Sequence, residues 1–299
     1  MHGEHILYSD CYDSPTPESG DRSESTSESA KESTGRGHFT IEEVTDLGRK
    51  TRSDLVRPCD IKGILHSHSR YCDGAHPLIS MVETAREIGL EYLGISDHFK
   101  TSAHKDGMDV PAMKVQRHEV ELLRAKYPDF EILQGVELDA NPDGSLPVDD
   151  ATLLLFDYVI VSFPENDGYD SRTFTDQVIK VASHPLVTIL GRPIGDLILN
   201  KNGGSLDMER VLKAAAEGET AVEVNANPDT DQLQWEYCRL AQELGVFMSI
   251  SPDAHRAARL VDYCHGTEQA HDAGLRCSSI LNTLPAGELK EYLGRNTSL

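Results

Sequence analysis

Histidine and carboxylate side chains follow the apolar stretches of this chain, at the points where predicted strands end. His66 and His68 follow the apolar run 61–65, and Asp253 and His255 follow the run 246–250. Side chains at positions i and i+2 of a strand project from the same face, so each pair can approach one metal ion from one side. Further candidate ligands are Asp73, His98 and Glu137. The pattern predicts a site for several metal ions and metal-assisted hydrolysis.

Strand and helix patterns alternate along the chain from residue 60 onward. Seven apolar segments predict strands, over residues 61–66, 92–96, 131–137, 158–162, 187–190, 221–225 and 246–250. Helical patterns separate these segments, and such alternation is typical of parallel strands joined by crossover helices. The sequence therefore predicts an α/β fold with one barrel of parallel strands. In such barrels the functional residues lie at the carboxyl ends of the strands, which is where the candidate ligands fall.

Composition changes sharply near residue 38. Residues 1–37 are rich in Ser, Thr, Glu and Gly, and their one apolar cluster runs from Ile6 to Tyr8. Such a segment buries too little apolar surface to offset the chain entropy that folding removes. We expect a disordered acidic tail over residues 1–37 and one folded domain over residues 38–299.

Charge and composition argue against several classes of function. The 28 basic and 50 acidic residues give a net charge of −22. This disfavours extended contact with duplex DNA, because neutralisation of phosphates by Lys and Arg drives such binding. The six cysteines form no C-x-x-C pair, and the longest apolar stretch is far shorter than the roughly 20 residues that cross a bilayer. We expect a cytoplasmic protein with no membrane partner.

Six short motifs, taken together, resemble those of a known family. They are 63–68 (GILHSH), 73–74 (DG), 95–98 (ISDH), 135–137 (GVE), 223–228 (EVNANP) and 253–255 (DAH). In this order and spacing they are similar to the motifs of the PHP (polymerase and histidinol phosphatase) phosphoesterases. The likeness is greatest to the PHP domain that ends the bacterial family X DNA polymerases. The resemblance implies a distorted (β/α)7 barrel over the domain 38–299, with a site for three metal ions.

The resemblance also assigns metal ligands to positions in this chain. One ion would be held by four residues: His66, His68, Glu137 and Asp253. A second ion would be held by three residues: Asp73, His98 and His255. Imidazole nitrogen together with carboxylate oxygen suits zinc, manganese or iron, and this ligand set leaves the choice among the three open.

The third ion is where the chain departs from the family pattern. In the family this ion shares the glutamate and takes one histidine after the fourth strand and another after the fifth. Pro164 and Arg192 stand at these two positions. The paired loss predicts two ions rather than three. His184 belongs to a His-Pro pair like the family's, but it lies at the start of the fifth strand and is interpreted as a loop residue.

Several residues beside the ligands are candidates for contact with substrate. Arg192 can hold two phosphate oxygens with its planar, permanently charged guanidinium, and Lys100 can meet a phosphate from the loop after the second strand. Asn225 can donate hydrogen bonds, although a role in a turn explains it equally well. We interpret Arg192 and Asp253 as catalytic residues and His104 as a surface residue.

Two classes of function remain open at this point. The first is a metal-dependent phosphoesterase, with a phosphorylated small molecule, a nucleotide or a single-stranded DNA end as substrate. A 3′ to 5′ exonuclease is one form of this activity. The second is a metal-binding scaffold that keeps the barrel for its stability after losing catalysis together with the third ion.

Overall fold

The computed structural model describes residues 54–101, 104–163, 171–191, 206–228 and 235–294. All of them lie in the unit Gly37–Leu299, one of two units into which the chain divides. The predicted tail, residues 1–37, lies outside the described residues, as do Pro164 and Arg192. No helix in the described ranges is long and apolar enough to cross a bilayer.

Seven parallel strands form one sheet in the order of the sequence. They are β1 (Gly63–Ile64), β2 (Tyr92–Ile95), β3 (Glu131–Asp139), β4 (Tyr158–Ser162), β5 (Ile189–Leu190), β6 (Ala221–Asn225) and β7 (Met248–Ser251). A parallel bridge between Ser67 and Ala254 joins the first strand segment to the last. The predicted (β/α)7 barrel is confirmed, although β1 and β5 are shorter than the apolar segments that predicted them.

Helices alternate with the strands within the described ranges. They are α1 (Leu78–Glu87), α2 (Val110–Lys126), α3 (Asp150–Leu153), α4 (Ser171–Ala182), α5 (Met208–Glu217), α6 (Trp235–Leu244), α7 (Tyr263–Asp272) and α8 (Ala286–Gly294). An aspartate caps three of them by accepting a hydrogen bond from a first-turn amide: Asp109, Asp149 and Asp207. Such a cap satisfies an amide that the helix itself leaves without a partner, so these residues fix where the helices begin.

Side chains that face the barrel interior change from apolar to polar along β3 and β6. In β3, Leu133 belongs to a small apolar cluster inside the barrel, while Ile132 belongs to the larger core between strands and helices. Side chains two apart share a face, so the inward row of Leu133 reaches Glu137. The inward row of β6 likewise runs from Ala221 to Glu223. The interior is therefore apolar at the amino ends of the strands and polar at their carboxyl ends, where the candidate ligands lie.

A tyrosine fills the amino half of the interior against glycines of neighbouring strands. Tyr158 is buried, and its hydroxyl donates a hydrogen bond to the carbonyl oxygen of Leu65 at 2.5 Å. A Cβ added to Gly135 would lie 2.2 Å from the ring of Tyr158, and one added to Gly94 would lie 2.3 Å from its hydroxyl oxygen. Leu289 of α8 joins the same cluster. Both glycines are needed because they leave space for the aromatic ring.

Substitution Gly135→Ala is expected to lower the free energy of unfolding by about 1–3 kcal/mol, since the methyl group overpacks a barrel interior that the ring of Tyr158 already fills. Urea or thermal unfolding followed by circular dichroism measures the change. Gly287→Ala is the matched control, because a Cβ at Gly287 of α8 meets no atom within 4 Å. Equal midpoints for Gly135→Ala and the wild type would contradict this account of the packing.

Candidate metal centre

Closure of the barrel brings the first and last groups of candidate ligands together. The bridge between Ser67 and Ala254 is reinforced by the amide of His68, which donates to the carbonyl oxygen of Ala254 at 2.9 Å. Each bridging residue sits between two candidate ligands in the sequence. Four candidates are therefore adjacent: His66, His68, Asp253 and His255.

The carboxylate of Glu137 lies among three imidazoles. Its Oε2 atom is 3.1 Å from Nε2 of His66, 3.4 Å from Nε2 of His68 and 3.3 Å from Nδ1 of His98. Oδ1 of Asp253 lies 3.1 Å from Nε2 of His68 and 3.5 Å from Nε2 of His66. The four residues predicted for the first ion therefore converge.

The three residues predicted for the second ion also converge, and His68 joins them. Nε2 of His255 lies 3.3 Å from Oδ1 of Asp73. One potential ligand atom from each of four residues falls within 4.8 Å of the others: His68, Asp73, His98 and His255. Potential ligand atoms of His66, His68 and Asp253 likewise lie within 4.8 Å of one another. His68 thus lies between the two predicted ion positions, whereas the sequence prediction assigned it to the first ion alone.

Three buried polar atoms of this cluster make no hydrogen bond of good geometry within the described part of the chain. They are Nε2 of His68, Nδ1 of His98 and Oδ1 of Asp253. Leaving a buried polar group without a partner costs about 1–3 kcal/mol, and more for a charged group. Imidazole nitrogen and carboxylate oxygen are common protein ligands of zinc and other divalent ions. The donor set therefore fits a metal centre.

The backbone at Asp253 adopts a conformation that L side chains rarely take. Its φ angle is +50°, in the left-handed region. A non-glycine residue held there costs on the order of 1 kcal/mol or more, and residues of this kind concentrate at functional sites. This backbone conformation accompanies a carboxylate that points toward His66 and His68.

Charges within the cluster shift its titration. Burial opposes protonation of His66, but the carboxylates of Glu223, Glu137 and Asp253 raise its pKa well above the usual value. Burial lowers the pKa of His98 to about 4. Burial also opposes ionisation of Glu137 and Asp253, but the neighbouring imidazoles hold the pKa of each carboxyl below its usual range. Both carboxylates are therefore ionised near neutral pH, the form that binds a cation.

Glu223 is a buried carboxylate beside a candidate ligand, and the sequence prediction gave it no role. It is buried in β6, and its Oε2 lies 2.5 Å from Nδ1 of His66. A carboxylate on the far nitrogen of a histidine fixes the ring and leaves the other nitrogen to a metal. The signal that could have found Glu223 is the two-residue period it shares with Asn225, which places both side chains on the inward face of the strand.

A second buried carboxylate supports the loop that follows His68. Asp97 accepts hydrogen bonds from the amide and hydroxyl of Ser69 at 2.6 and 2.5 Å, and from Nε2 of Gln116 at 2.5 Å. The thiol of Cys72 donates to Asp97 at 2.9 Å and lies 3.5 Å from Nδ1 of His68. Burial, together with Asp97, raises the pKa of this thiol. Cys72 therefore acts as a hydrogen-bond donor that tethers the loop.

His104, interpreted from the sequence as a surface residue, is partly exposed and also contacts residues of the candidate metal centre. Its ring stacks on that of His98 at a centroid distance of 3.7 Å, and its Nε2 lies 2.8 Å from Oδ2 of Asp139. Asp139 stands two residues after Glu137 on the same face of β3. His104 reaches the site through a loop, so no strand or helix period in the sequence marks it.

The remaining predicted residues lie as follows. Asn225 is buried, and its Oδ1 accepts a hydrogen bond from the amide of Asn227 at 2.8 Å, as in a turn. Lys100 is exposed in the loop after His98. His184 precedes β5, with Nε2 3.4 Å from Oδ1 of Asp150. It is at the amino end of its strand, away from the metal centre, as the sequence prediction placed it.

Substitution Glu223→Gln is expected to weaken metal binding about tenfold, because an amide still contacts His66 but no longer supports it with a charge. Titration of the metal-free protein with zinc, followed by competition with a chromogenic chelator, measures the change. Glu236→Gln, at an exposed position of α6, serves as the control. Unchanged affinity in Glu223→Gln would show that the carboxylate does not act on the metal through His66.

Fold and site together define a class of protein: a parallel (β/α)7 barrel with a His- and Asp-lined candidate metal centre at the carboxyl ends of its strands. The family described as PHP domain matches residues 65–227, which is more than half of the chain. The chain belongs to this PHP family, whose members are metal-dependent hydrolases.

Two known proteins are similar to this chain, one in sequence and one in fold. The DNA polymerase/3′-5′ exonuclease PolX of Bacillus subtilis (strain 168) is 32% identical over 259 residues. The match covers 85% of this chain and 45% of PolX, so the chain spans less than half the length of this relative. A crystal structure of histidinol phosphate phosphatase from Lactococcus lactis subsp. lactis, complexed with zinc, L-histidinol and phosphate, has a TM-score of 0.55 at 19% identity. That likeness covers 72% of this chain and 94% of the phosphatase, and it shows the fold.

Proposed function

We propose that this protein is a metal-dependent phosphoesterase that binds about two divalent ions, of zinc, manganese or iron, at the candidate metal centre. The observation that carries the proposal is the convergence of three buried ligand atoms, on His68, His98 and Asp253, that lack good hydrogen bonds among the described residues. Membership of a family of hydrolases supports it. The substrate is a phosphate ester, either a phosphorylated small molecule or a nucleotide.

The ligand assignment divides the cluster between two ions. His66, Glu137 and Asp253 would hold one, and a second would be held by three residues: Asp73, His98 and His255. His68 lies close enough to both groups to serve either. Divalent ions held by these residues would supply Lewis acidity toward a water molecule and toward the charge of phosphate oxygens.

Protein groups around the ligands hold them in place before substrate arrives. Glu223 fixes the ring of His66, and Asp97 tethers the loop that follows His68. Asp253 is catalytic in this proposal as a metal ligand, because its ionised carboxylate lies beside His66 and His68, where it would contact the ion. Such preorganisation matters because a catalytic group displaced by about 1 Å can lose about a hundredfold in rate.

The proposal of two ions rather than three rests on Pro164 and Arg192, the residues at the two remaining family positions. Pro164 offers no side-chain ligand atom, and a guanidinium does not bind cations. Oε1 of Glu137 accepts a hydrogen bond from the hydroxyl of Ser162 at 2.5 Å. That hydrogen bond orients the carboxylate, and a second lone pair of Oε1 remains for a cation.

Three residues are proposed to contact substrate: Lys100, Arg192 and Asn225. The charge of Arg192 would bind phosphate oxygens where the family has its third ion. Lys100 is exposed two residues after the candidate ligand His98. Asn225 lies on the inward face of β6, two residues after Glu223.

Hydrolysis assays on the protein loaded with manganese or zinc test the proposed function. The substrates are p-nitrophenyl phosphate as a monoester, bis(p-nitrophenyl) phosphate as a diester and single-stranded oligothymidylate as a DNA end. We expect turnover on at least one of them, loss of turnover with a chelator and recovery on adding metal. Failure on all three, with metal bound, would contradict the enzyme proposal and leave the metal-binding scaffold as the function.

A 3′ to 5′ exonuclease is the second candidate, and the similarity to PolX favours it. The net charge of −22 weighs against long contact with a nucleic acid. A strand end requires few phosphate contacts, so this objection is weaker for an exonuclease than for a duplex-binding protein. Shortening of oligothymidylate by single nucleotides from its 3′ end would support this candidate over a phosphomonoesterase.

A further inference from the structure

Two arginines beside the metal centre have no carboxylate partner among the described residues. Arg70 lies two residues after His68, and Arg256 directly follows His255. Both side chains are exposed. Other arginines on the outer face of the barrel do pair with carboxylates, as Arg210 does with Asp176 at 2.9 Å. In so acidic a chain, two arginines next to the site that pair with no carboxylate of the described ranges are candidates to bind an anion.

Hydrogen bonds join the two loops that carry these arginines. The amide of Arg70 donates to the carbonyl oxygen of His76 at 3.0 Å, and its Nε donates to the carbonyl oxygen of Ala75 at 2.9 Å. The amide of Ala75 donates to the carbonyl oxygen of His255 at 2.8 Å. The amide of Ala257 donates to Nδ1 of His76 at 3.3 Å. The two loops therefore form one continuous rim at the edge of the site.

His76 lies between the two arginines and offers a third donor. Burial first, and then the charges of Arg256 and Arg70, lower its pKa, so the imidazole is neutral near pH 7. Because Nδ1 accepts the amide of Ala257, the proton of the neutral ring is on Nε2, which can donate. The rim thus offers two guanidinium groups and one imidazole N–H to an anion. Its one carboxylate between Arg70 and His76, that of Asp73, is directed to His255 at 3.3 Å.

We propose that Arg70, Arg256 and His76 form an anion subsite that binds a second phosphate group of the substrate. The inference rests on the proposed function, in which the first phosphate is bound at the ions. Guanidinium groups bind phosphate oxygens through paired, charge-assisted hydrogen bonds. The subsite is one or two residues from ligands of both ions, so it favours a substrate with two phosphates over a phosphorylated neutral alcohol.

Calorimetric titration of the zinc-loaded protein with two nucleotides tests the subsite. Adenosine 3′,5′-bisphosphate carries the second phosphate and adenosine 5′-monophosphate lacks it. In Arg70→Gln and in Arg256→Gln we expect affinity for the bisphosphate to fall about three- to tenfold, a modest effect because both side chains are exposed. Affinity for the monophosphate should stay within about twofold. Arg276→Gln, at an exposed arginine near the amino end of β7, is the control.

Equal loss of affinity for both nucleotides, or no loss for either, would overturn the subsite. Hydrolysis is measured in the same samples, so the anion subsite and the phosphoesterase activity are tested separately. If the variants lose affinity for the bisphosphate alone and the wild type hydrolyses neither nucleotide, the subsite is supported and the phosphoesterase proposal is contradicted. A third titration with the dinucleotide pdTpdT identifies the source of the second phosphate. If the arginine variants lose affinity for pdTpdT as they do for the bisphosphate, the second phosphate belongs to a nucleic-acid strand. If their affinity for pdTpdT is unchanged, it belongs to a free bisphosphate. Either result supports the subsite, provided that affinity for the bisphosphate falls in these variants.

Discussion

Substitution His68→Ala is expected to remove both ions and to lower phosphoesterase activity about a thousandfold. A potential ligand atom of His68 lies within 4.8 Å of ligand atoms from both predicted ion sites. Its Nε2 is 3.4 Å from Oε2 of Glu137 and 3.1 Å from Oδ1 of Asp253. Metal-ion catalysis is worth several kcal/mol, and each 1.36 kcal/mol is a factor of ten in rate. Elemental analysis and steady-state kinetics on the same preparation measure the two losses.

His118→Ala is the control for this substitution, since His118 is an exposed histidine on α2 and touches no candidate ligand. Unfolding curves establish that the variant still folds. If His68→Ala lost one ion and kept the other at full occupancy, the central position of His68 would be wrong, and the assignment of this residue to the first ion alone would stand.

Substitution Arg192→Ala is expected to slow hydrolysis of a phosphate ester while leaving the bound ions in place. If the guanidinium takes the place of an ion as a phosphate clamp, its loss removes a charge-assisted contact worth roughly 1.5 to 3 kcal/mol. That energy corresponds to about a ten- to a hundredfold decrease in rate. Metal content and kcat/KM, measured together, separate a clamp from a ligand.

Arg210→Ala removes an exposed arginine of α5 and controls for the change in net charge. An unchanged rate in Arg192→Ala would contradict the clamp. The double substitution Pro164→His with Arg192→His tests the alignment itself, because it should restore a third ion only when both histidines are present. A third ion in either single variant would show that the predicted positions are misplaced.

The barrel could be predicted because each strand carries its own apolar signal. The segment 158–162 predicted β4 and matches it, and the ligand pairs His66–His68 and Asp253–His255 follow directly from the two-residue period of a strand. Lengths were harder to predict, since residues 187–190 predicted a strand of which two residues pair in β5. Pairing depends on the neighbouring strands as well as on the apolar run.

The residues that hold the candidate ligands in place were harder to predict from the sequence than the ligands themselves. Glu223 and Asp97 act through His66 and through the loop after His68, and which carboxylate meets which ring depends on how separate strands pack. His104 is further from prediction, because a loop of no regular period carries it onto the ring of His98. Contacts between loops and strands distant in sequence leave no local pattern.

Elemental analysis of the wild-type protein, purified without a chelator, tests the central claim most directly. Seven candidate ligands converge at the carboxyl ends of the strands, and the residues at the two other family positions are Pro164 and Arg192. We therefore expect about two tightly bound divalent ions per chain. A stoichiometry of three ions, unchanged in Arg192→Ala, would contradict the reduced site, and a protein that binds no ion when zinc or manganese is supplied would contradict the metal centre altogether.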